Sequence, residues 1–507
     1  MEPVRRLLLV SALLLAVGCG HDAAPPGTST SGRSAAPLGR VLDLEVELPF
    51  LLPEEAAGPG VRLAVVLEVE GGETGARKAR VRYGNARLAD GSEAPVTDRS
   101  SGRATVVLGE GTFRTGRIGP VEVAGTPFEW MVEGTSPDGG WSLSGRSWES
   151  RTGGEGSFRG ARRHRFLVAS TDFYSGGSVD LVEVAWGREL RVREAVAPAS
   201  SDPVLRVTAG MAFLVNRLSW DNLVRLDPAD GFAPAWQAGT GAGSNPHDVV
   251  AAREGLLYVS RYEPPFDDLL VVRAEGGARR GTVPLGELAE NPDATPRADR
   301  MARAGGLVFV GLQDIDRSFA VYGEGKLAAI DPATDEVVGV VHLGGKNPGS
   351  LVVAADERGR ERIWVQLAGI YPGVLPRELS GGVVVVDPRA LAVERWALDD
   401  DDAGGNVGAL AIAGPRLGYV VVSTEDWTNR VLAFDPAEAR VLRETWTTRD
   451  YVPEIEVDGG GLLAVPDRSW SRPGLCLWRV PSEPGEEETP VGCARLPMPP
   501  FSVEPLD

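Results

Sequence analysis

From about residue 165 onward, the sequence repeats one pattern of four short segments roughly every 45 to 55 residues. Each unit opens with an apolar segment, often after a proline, and continues with a second hydrophobic segment. A third segment often ends in Asp-Pro, as at Asp331-Pro332 and Asp387-Pro388, and a polar fourth segment follows. Because Asp caps its own turn and Pro fixes φ where a strand ends, each unit predicts four strands joined by turns.

Six units are complete, and a seventh is divided between the two ends of the repeat region. The complete units open at Pro203, Pro246, Pro296, Pro348, Asn406 and Pro453. Residues 166–184 supply a second and a third segment without an opening one, whereas residues 500–506 look like an opening segment with no unit after it. Joining the two ends closes a ring and removes the exposed sheet edge. The sequence therefore predicts an all-β chain with a seven-bladed β-propeller of four-stranded blades over residues 163–507, its first blade closed by the C-terminal strand.

The openings Asn245-Pro246-His247-Asp248 and Asn347-Pro348-Gly349-Ser350, together with the Asp-Pro turns, resemble those of YVTN-type β-propeller repeat proteins. That family includes surface-layer repeat proteins and lactonase-like propellers. The resemblance covers about residues 165–507 and is specific for architecture but weak for function, since one fold serves many functions. Lactonase-like propellers use Arg, Glu and His around the channel; these residue types occur here, but no spacing assigns their roles.

Residues 39–162 do not follow the repeat. Short segments such as Leu42–Leu48, Val61–Val69 and Ala104–Leu108 alternate polar and apolar residues between Gly-rich turns. Period two of this kind predicts an antiparallel sheet, and we expect a small β-sandwich or barrel. At its end, residues 159–165 hold four Arg and His164; we expect a solvated domain junction, with lipid-headgroup contact as the alternative.

The N-terminus has the features of an export signal. Arg5 and Arg6 precede an apolar run that is too short to span a bilayer, so residues 1–18 are predicted to be a signal peptide. Ala16-Val17-Gly18-Cys19 resembles the bacterial lipobox, although Ala16 replaces the usual Leu. The resemblance implies cleavage before Cys19 and its diacylation; ordinary signal cleavage with an incidental Cys19 is the alternative.

The residues after Cys19 extend this interpretation. Gly20 follows the cysteine, which by the same resemblance implies the outer membrane. Residues 19–38 are small, polar and Pro-rich, and they predict a flexible tether. Export to an oxidising compartment predicts a disulfide between Cys476 and Cys493. With no CxxC motif or Cys/His cluster, we expect no thiolate zinc site and no metal.

The charge and the missing motifs exclude several functions. A net charge of −19 without a basic stripe argues against a nucleic-acid partner. We find no phosphate-binding Gly-rich loop, GxSxG or HExxH, and no cofactor is predicted. The run Asp399–Asp402 is expected to stay solvated because adjacent carboxylates repel each other, and its pattern is not that of a calcium loop.

Of the four histidines, only His247 lies where a propeller places its ligands. His21 is in the tether, and His342 is on a predicted fourth strand. Opening strands line the central channel, and the loops that enter them surround one mouth. Asn245, His247 and Asp248 are therefore candidates for ligand contact. In the alternative, the Asn and Asp cap the turn and the His hydrogen-bonds between blades.

Other opening strands carry charged and polar residues at equivalent positions. Such a set can bind a polar ligand or activate water, or it can form ion pairs between blades. The candidates are Arg206, Arg297, Asp299, Arg300, Asn347, Ser350, Asn406, Glu454 and Glu456.

These observations favour a lipid-anchored binding or scaffold module that presents its propeller to a protein or glycan. A channel-centred hydrolase or lactonase is the alternative, and a quinoprotein-like dehydrogenase is a weaker one because no cofactor motif supports it. An enzyme is favoured if His247 lies in an open concave pocket near charged partners, and disfavoured if it is packed between blades.

Overall fold

The computed structural model describes residues 40–48, 61–70, 75–88, 91–109, 112–135, 143–150, 155–185 and 189–506. The predicted signal peptide, the tether and Cys19 lie outside these residues. Strands dominate the described part, which also contains the short helix α1 (Asp400–Ala403) and 3-10 turns at Pro228–Asp230 and Gly286–Leu288. Within that part, no helix has the length and apolar character needed to cross a membrane.

The N-terminal segment forms a closed, barrel-like sheet, so the barrel alternative is confirmed. Its strands are β1 (Arg40–Leu48), β2 (Val61–Val69), β3 (Gly75–Arg87), β4 (Glu93–Ala94), β5 (Val96–Asp98), β6 (Arg103–Gly109), β7 (Thr112–Thr115), β8 (Ile118–Val123), β9 (Thr126–Thr135), β10 (Leu143–Glu149) and β11 (Glu155–Arg162). Eight of them close in the order β10-β11-β1-β2-β3-β6-β7-β9, because β9 also pairs with β10. Alternating burial along β2 shows why the period-two pattern predicted this sheet.

Seven four-stranded antiparallel sheets follow, as predicted. Blade 1 contains β12 (His164–Thr171), β13 (Gly177–Val184) and β14 (Leu190–Ala199); blade 2 contains β15 (Pro203–Thr208), β16 (Met211–Asn216), β17 (Asn222–Asp227) and β18 (Ala233–Gly239). Blade 3 contains β19 (Pro246–Arg253), β20 (Leu256–Arg261), β21 (Asp268–Arg273) and β22 (Arg279–Pro284); blade 4 contains β23 (Ala298–Ala304), β24 (Leu307–Leu312), β25 (Lys326–Asp331) and β26 (Glu336–His342).

The last three complete blades repeat the same arrangement. Blade 5 contains β27 (Pro348–Ala355), β28 (Glu361–Leu367), β29 (Gly382–Asp387) and β30 (Ala392–Asp399); blade 6 contains β31 (Asn406–Gly414), β32 (Leu417–Ser423), β33 (Asn429–Asp435) and β34 (Arg440–Thr448). Blade 7 contains β35 (Glu456–Val457), β36 (Leu462–Asp467), β37 (Gly474–Arg479) and β38 (Thr489–Arg495), and the last strand of the chain is β39 (Pro500–Pro505).

Strand β39 closes the ring by joining blade 1. It pairs antiparallel with β12, with Phe166 opposite Pro505 and Val168 opposite Val503. The innermost strands then contact one another in succession from β39 through β15, β19, β23, β27 and β31 to β35, and β35 contacts β39. The predicted closure of the first blade by the C-terminal strand is confirmed.

The blades are held together by apolar side chains between their faces. Val250 and Tyr258 of blade 3, for example, belong to one buried cluster with Val308 and Val310 of blade 4. Because second and third strands are covered on both faces, they appear in the sequence as continuous apolar runs rather than as alternating ones. Each fully buried Val or Leu contributes about 1.5–3 kcal/mol.

The predicted disulfide is confirmed. Cys476 on β37 lies opposite Cys493 on β38, and the two form a disulfide with a Cα–Cα distance of 3.9 Å. The bond therefore joins the two outer strands of blade 7.

Two expectations about charged segments are wrong. At the junction, Arg162, His164 and Arg165 are buried rather than solvated. They belong to the end of β11 in the barrel and to the start of β12 in blade 1, and both strands are packed at these positions. Arg163 pairs with Asp43 of β1, at 2.5 Å, and with Glu183 of β13. Of the four arginines only Arg159 is exposed, and it pairs with Glu45 at 3.0 Å.

In the run Asp399–Asp402, the side chain of Asp400 at the start of α1 is buried and accepts a hydrogen bond from the backbone N–H of Gly381. Burial raises the pKa of its carboxyl to about 6. Asp399, which caps the helix, and Asp401 and Asp402 are exposed as expected, so the expectation fails only at Asp400.

Candidate functional site

A cavity of about 410 Å³ opens at the end of the propeller axis where the innermost strands begin. We call this end the mouth face and the space the axial cavity. Its wall is built from the loops that enter the innermost strands and from the loops that join second to third strands, because antiparallel blades bring both to the same end. Cavities of 300–1,000 Å³ are the usual size for small-molecule sites.

His247 lies in the wall of this cavity and forms a dyad with Asp299. Nδ1 of His247, in blade 3, is 2.8 Å from Oδ1 of Asp299, in blade 4. Gln313 donates from Nε2 to the other carboxylate oxygen of Asp299 at 2.7 Å, and its own Oε1 accepts from the Tyr262 hydroxyl at 2.7 Å. Tyr262 also stacks on the His247 ring with 4.0 Å between centroids and an interplanar angle of 2°. The stacking on Tyr262 therefore fixes the plane of the imidazole ring, and the bond to Asp299 fixes its Nδ1 edge.

Burial keeps His247 neutral at pH 7. It lowers the pKa of the imidazole, and the hydrogen bond to the Asp299 carboxylate opposes this shift without cancelling it. With Nδ1–H donating to the carboxylate, the neutral ring carries its lone pair on Nε2. Among the described residues nothing hydrogen-bonds to Nε2, which leaves this atom for a ligand or a water.

Arg297 supports the dyad from behind. Its guanidinium lies 4.9 Å from the centroid of the Tyr262 ring, donates to the Ile315 carbonyl at 3.0 Å and pairs with Glu263 at 2.8 Å. The sequence placed Arg297 among the channel residues, but the structure buries it completely beneath the cavity wall.

Two further arginines line the cavity, each held by one carboxylate. Arg300 of blade 4 donates to Glu454 at 2.8 Å. Arg217 of blade 2 pairs with Asp202 at 2.5 Å and lies 5.5 Å from the centroid of the Phe501 ring. Both cations therefore lie in fixed positions in the wall of the same cavity as His247.

Below the cavity, the axis is occupied by a buried charge cluster around Arg206. This guanidinium contacts Asp248 at 2.7 Å and Glu454 and Glu504 at 3.1 Å each. Burial raises the pKa of Glu504 to about 8 and that of Asp248 to about 6, and it raises the pKa of Glu456 well above its usual value.

Three carboxylates of this cluster have the spacing of a cation site. Oxygens of Glu454, Glu456 and Glu504 lie within 4.8 Å of one another. Arg206 pairs with Glu454 and Glu504 at 3.1 Å each, and because burial raises the pKa of Glu504 to about 8, this carboxyl holds a proton at pH 7. The protein's own groups therefore offset part of the negative charge.

The structure divides the predicted channel residues into two groups. His247, Asp299, Arg300, Asn347, Ser350 and Glu454 line the axial cavity. Asn245, Asp248, Arg206, Arg297, Asn406 and Glu456 lie outside its wall. Asn245, with a φ of 44°, accepts from the Leu218 N–H of blade 2, and Asp248 accepts from the Met301 N–H of blade 4, so these bonds join blades instead of capping the turn as the alternative had it.

Sequence reasoning missed the aromatic side chains of the mouth face. Every blade carries at least one aromatic residue in the loop between its second and third strands: Phe173, Trp220, Phe266, Phe319, Tyr371, Trp427 and Trp470. Three of these line the axial cavity, together with Tyr262, Tyr322, Tyr451 and Phe501. The signal in the sequence is an aromatic residue two to seven positions after the second strand of every unit.

Fold and cavity together define a β-propeller with an axial site of ligand size, in which aromatic rings, two arginines and a neutral histidine converge. No family model matches the sequence, and no curated protein matches it. Solved structures similar to the chain include lactonase-like β-propeller proteins.

One is a periplasmic gluconolactonase of Pseudomonas aeruginosa, with 18% identity, a TM-score of 0.48, and coverage of 68% of this chain and 99% of that one. Another is a provisionally assigned 6-phosphogluconolactonase of Bacteroides fragilis, with 13% identity, a TM-score of 0.48, and coverage of 68% and 98%. A third is the hydrazine synthase of Kuenenia stuttgartiensis, with 14% identity, a TM-score of 0.43, and coverage of 62% and 95%. We therefore derive the function from this chain's own residues.

Proposed function

We propose that the chain is a hydrolase of small polar esters or lactones, with His247 as its general base. The observation that carries the proposal is the Asp299–His247 dyad, 2.8 Å apart, in the wall of an open cavity of about 410 Å³. A neutral histidine whose tautomer is fixed by a carboxylate is the arrangement that general-base catalysis requires.

The hydrolysis can be written with these groups alone. A water bound to Nε2 of His247 transfers a proton to that nitrogen while its oxygen forms a bond to the acyl carbon. Asp299 stabilises the resulting imidazolium, and Arg300 or Arg217 can stabilise the oxyanion. When the acyl C–O bond breaks, the imidazolium returns the proton to the leaving oxygen, which gives one acid and one alcohol.

The test uses the purified full-length chain in detergent, with a panel of five- and six-membered sugar lactones and p-nitrophenyl esters. Proton release is followed in a pH-stat. We expect His247→Ala to lower kcat about 10²-fold or more. His342→Ala is the matched control, because His342 is exposed on an outer strand and pairs only with Glu324. Equal rates for the His247→Ala variant and the wild type, or no release above the spontaneous rate for the whole panel, would contradict the proposal.

A binding or scaffold role without turnover is the second candidate function. Exposed hydrophobic side chains such as Val374 and Tyr451 surround the cavity, and apolar surface holds no ordered water. They favour this second role because a site that only binds its ligand needs no water for hydrolysis. Calorimetry with the sugar acids that correspond to the lactone panel separates the two candidates. Saturable binding with no turnover of any lactone supports this second role.

We also propose that the chain is exported and anchored to the cell envelope, in the outer membrane, through Cys19. The support is the signal-like segment 1–18 and the lipobox-like residues before Cys19. Cells fed an alkyne analogue of palmitate should label the wild type but not the Cys19→Ser variant. Cys493→Ser is the control and should keep the label. Recovery of the wild-type label in the inner-membrane fraction would contradict the outer-membrane assignment.

A further inference from the structure

Exposed hydrophobic side chains are concentrated at the mouth face. Of the nine large hydrophobic residues that are exposed in the described part of the chain, seven lie in loops of this face. They are Tyr174, Leu218, Trp220, Val321, Val374, Tyr451 and Trp470. Exposed hydrophobic residues that occur singly are normal on a protein surface, whereas a group of seven at one end of the ring marks an interaction surface.

The three most exposed rings belong to three neighbouring blades. Trp470 of blade 7 is 60% exposed, Tyr174 of blade 1 is 65% exposed and Trp220 of blade 2 is 54% exposed. Each lies in the loop between the second and third strand, and we call loops 468–473, 172–176 and 217–221 the aromatic rim. The rim is structurally uniform, since the same loop supplies the ring on each blade.

The rim is continuous with the axial cavity through Phe501. Phe173 of blade 1 packs edge-on against this ring with 5.2 Å between centroids. The guanidinium groups of Arg468 and Arg217 each lie 5.5 Å from its centroid. Because Phe501 also lines the cavity, the three rim loops converge at one side of its opening.

Each exposed ring stands beside a serine. Ser175 follows Tyr174, Ser219 precedes Trp220, and Ser469 and Ser471 flank Trp470. Each rim loop therefore offers hydroxyl groups next to its ring, which suits a hydroxyl-rich occupant better than the largely apolar core of a protein–protein interface does.

The rim carries a net charge of only +1, although the chain has a net charge of −19. Of its five charged residues, Arg472 alone is exposed. Asp221 and Arg468 are buried, whereas Arg217 is half-buried and paired with Asp202, and Asp172 is half-buried and accepts hydrogen bonds from its own loop. A surface of this kind matches a neutral occupant with flat apolar faces and hydroxyl edges.

We propose that the aromatic rim binds a neutral oligosaccharide. Pyranose rings stack on Trp470, Tyr174 and Trp220, since their axial C–H bonds face the negative side of an aromatic ring, and the serines bind sugar hydroxyls. One end of the oligosaccharide points into the axial cavity. Only this last point rests on the proposed hydrolase, because binding at the rim does not involve His247.

The test is calorimetry of the full-length chain in detergent with maltohexaose, cellohexaose and chitohexaose. We expect at least one of them to bind, each of Trp220→Ala, Tyr174→Ala and Trp470→Ala to weaken binding about tenfold, and the triple variant to abolish it. Val338→Ala is the control, because Val338 is exposed on β26 away from the rim. His247→Ala should bind like the wild type, so a failed hydrolase proposal leaves this result intact.

Other occupants of the rim give different results. A wild-type dimer in sedimentation velocity that becomes monomeric in the triple variant would assign the rim to a second copy of the chain. Sedimentation of the Cys19→Ser chain with phosphatidylethanolamine–phosphatidylglycerol vesicles, lost in the triple variant, would assign it to a lipid surface. Either result, or no binding of any of the three hexasaccharides, overturns the proposal. Unchanged urea unfolding of the triple variant shows that any lost binding does not come from misfolding.

Discussion

Arg300 in blade 4 donates a hydrogen bond of 2.8 Å to Glu454 at the entrance of blade 7, so one ion pair spans the propeller axis. Glu454 also accepts from Arg206 at 3.1 Å, from the Ser502 hydroxyl at 2.7 Å and from the Val503 N–H at 3.0 Å. This carboxylate therefore ties blades 2, 4 and 7 to the closing strand of blade 1.

Replacing Glu454 should destabilise the whole ring. In Glu454→Gln, the buried Arg206 loses one of its compensating charges, and removing one partner of a buried ion pair costs about 3–5 kcal/mol. Urea unfolding measures the free energy. Glu438→Gln is the control, because Glu438 is exposed beside Arg440 and no measurable change is expected there. Equal losses of unfolding free energy in the two variants would show that the axial cluster stabilises the protein no more than an exposed ion pair does.

Stability should fall as the pH rises from 7 to 9. Burial raises the pKa of Glu504 to about 8, whereas in the unfolded chain it ionises near 4.3. At pH 7 the folded state therefore holds a proton that the unfolded state has lost, and this contribution disappears as the pH passes the folded pKa. Thermal unfolding midpoints at pH 7 and pH 9 measure the effect, and Glu504→Gln should reduce the difference. An increase in the wild-type midpoint over this range would contradict the assignment.

The protonation of His247 can be observed without any substrate. Because burial lowers its pKa, the ring should titrate below the ordinary histidine pKa of about 6.5, and its neutral form should carry the proton on Nδ1. Nitrogen-15 NMR of labelled histidines reports both points. Asp299→Asn should lower the pKa further, since the carboxylate favours the imidazolium. A His247 signal that titrates above pH 6.5 would be incompatible with a buried dyad.

Removal of the closing strand should open the ring. A chain that ends at Pro499 lacks β39, which leaves β12 with an unpaired edge and removes Phe501 and Val503 from their packing. We expect loss of a single cooperative transition and formation of aggregates on size-exclusion chromatography. A synthetic peptide of residues 498–507, added during refolding, should restore the monomer. A truncated chain that is monomeric with an unchanged midpoint would exclude this role for β39.

The disulfide should stabilise the last blade. Cys476 and Cys493 are 17 positions apart, and closing a loop of about this length contributes about 3 kcal/mol in the chain-entropy model. The double variant Cys476→Ser/Cys493→Ser should therefore unfold at lower urea concentration. Dithiothreitol should bring the wild type to the same urea midpoint and leave the variant unchanged. A wild-type midpoint that is insensitive to reduction would show that the disulfide does not stabilise the blade.

The propeller could be predicted because its pattern is local. Second and third strands are buried on both faces, so each unit shows apolar runs, and Asp-Pro pairs mark where they end. Sequence could also place His247, Arg300 and Glu454 near the axis, because opening strands line the channel.

The partners of these residues could not be predicted in the same way. Tyr262 and Gln313 follow the second strands of two different blades, and only the ring geometry brings them to His247. The same limit explains the error at the junction, where His164 of blade 1 meets Asp458 of blade 7, a blade that becomes its neighbour only when the ring closes. Charge patterns along a chain do not show which opposite charges the closure of a ring will bring together.

The pairing of β39 with β12 also has a consequence for biosynthesis. Leu506 donates from its backbone N–H to the Arg165 carbonyl, and these residues are 341 positions apart in the chain. All seven blades must therefore be synthesised before the first can be completed. Until then, β12 has an unpaired edge that a neighbouring nascent chain can pair with. Cells that produce this protein should rely on a holdase chaperone during that interval.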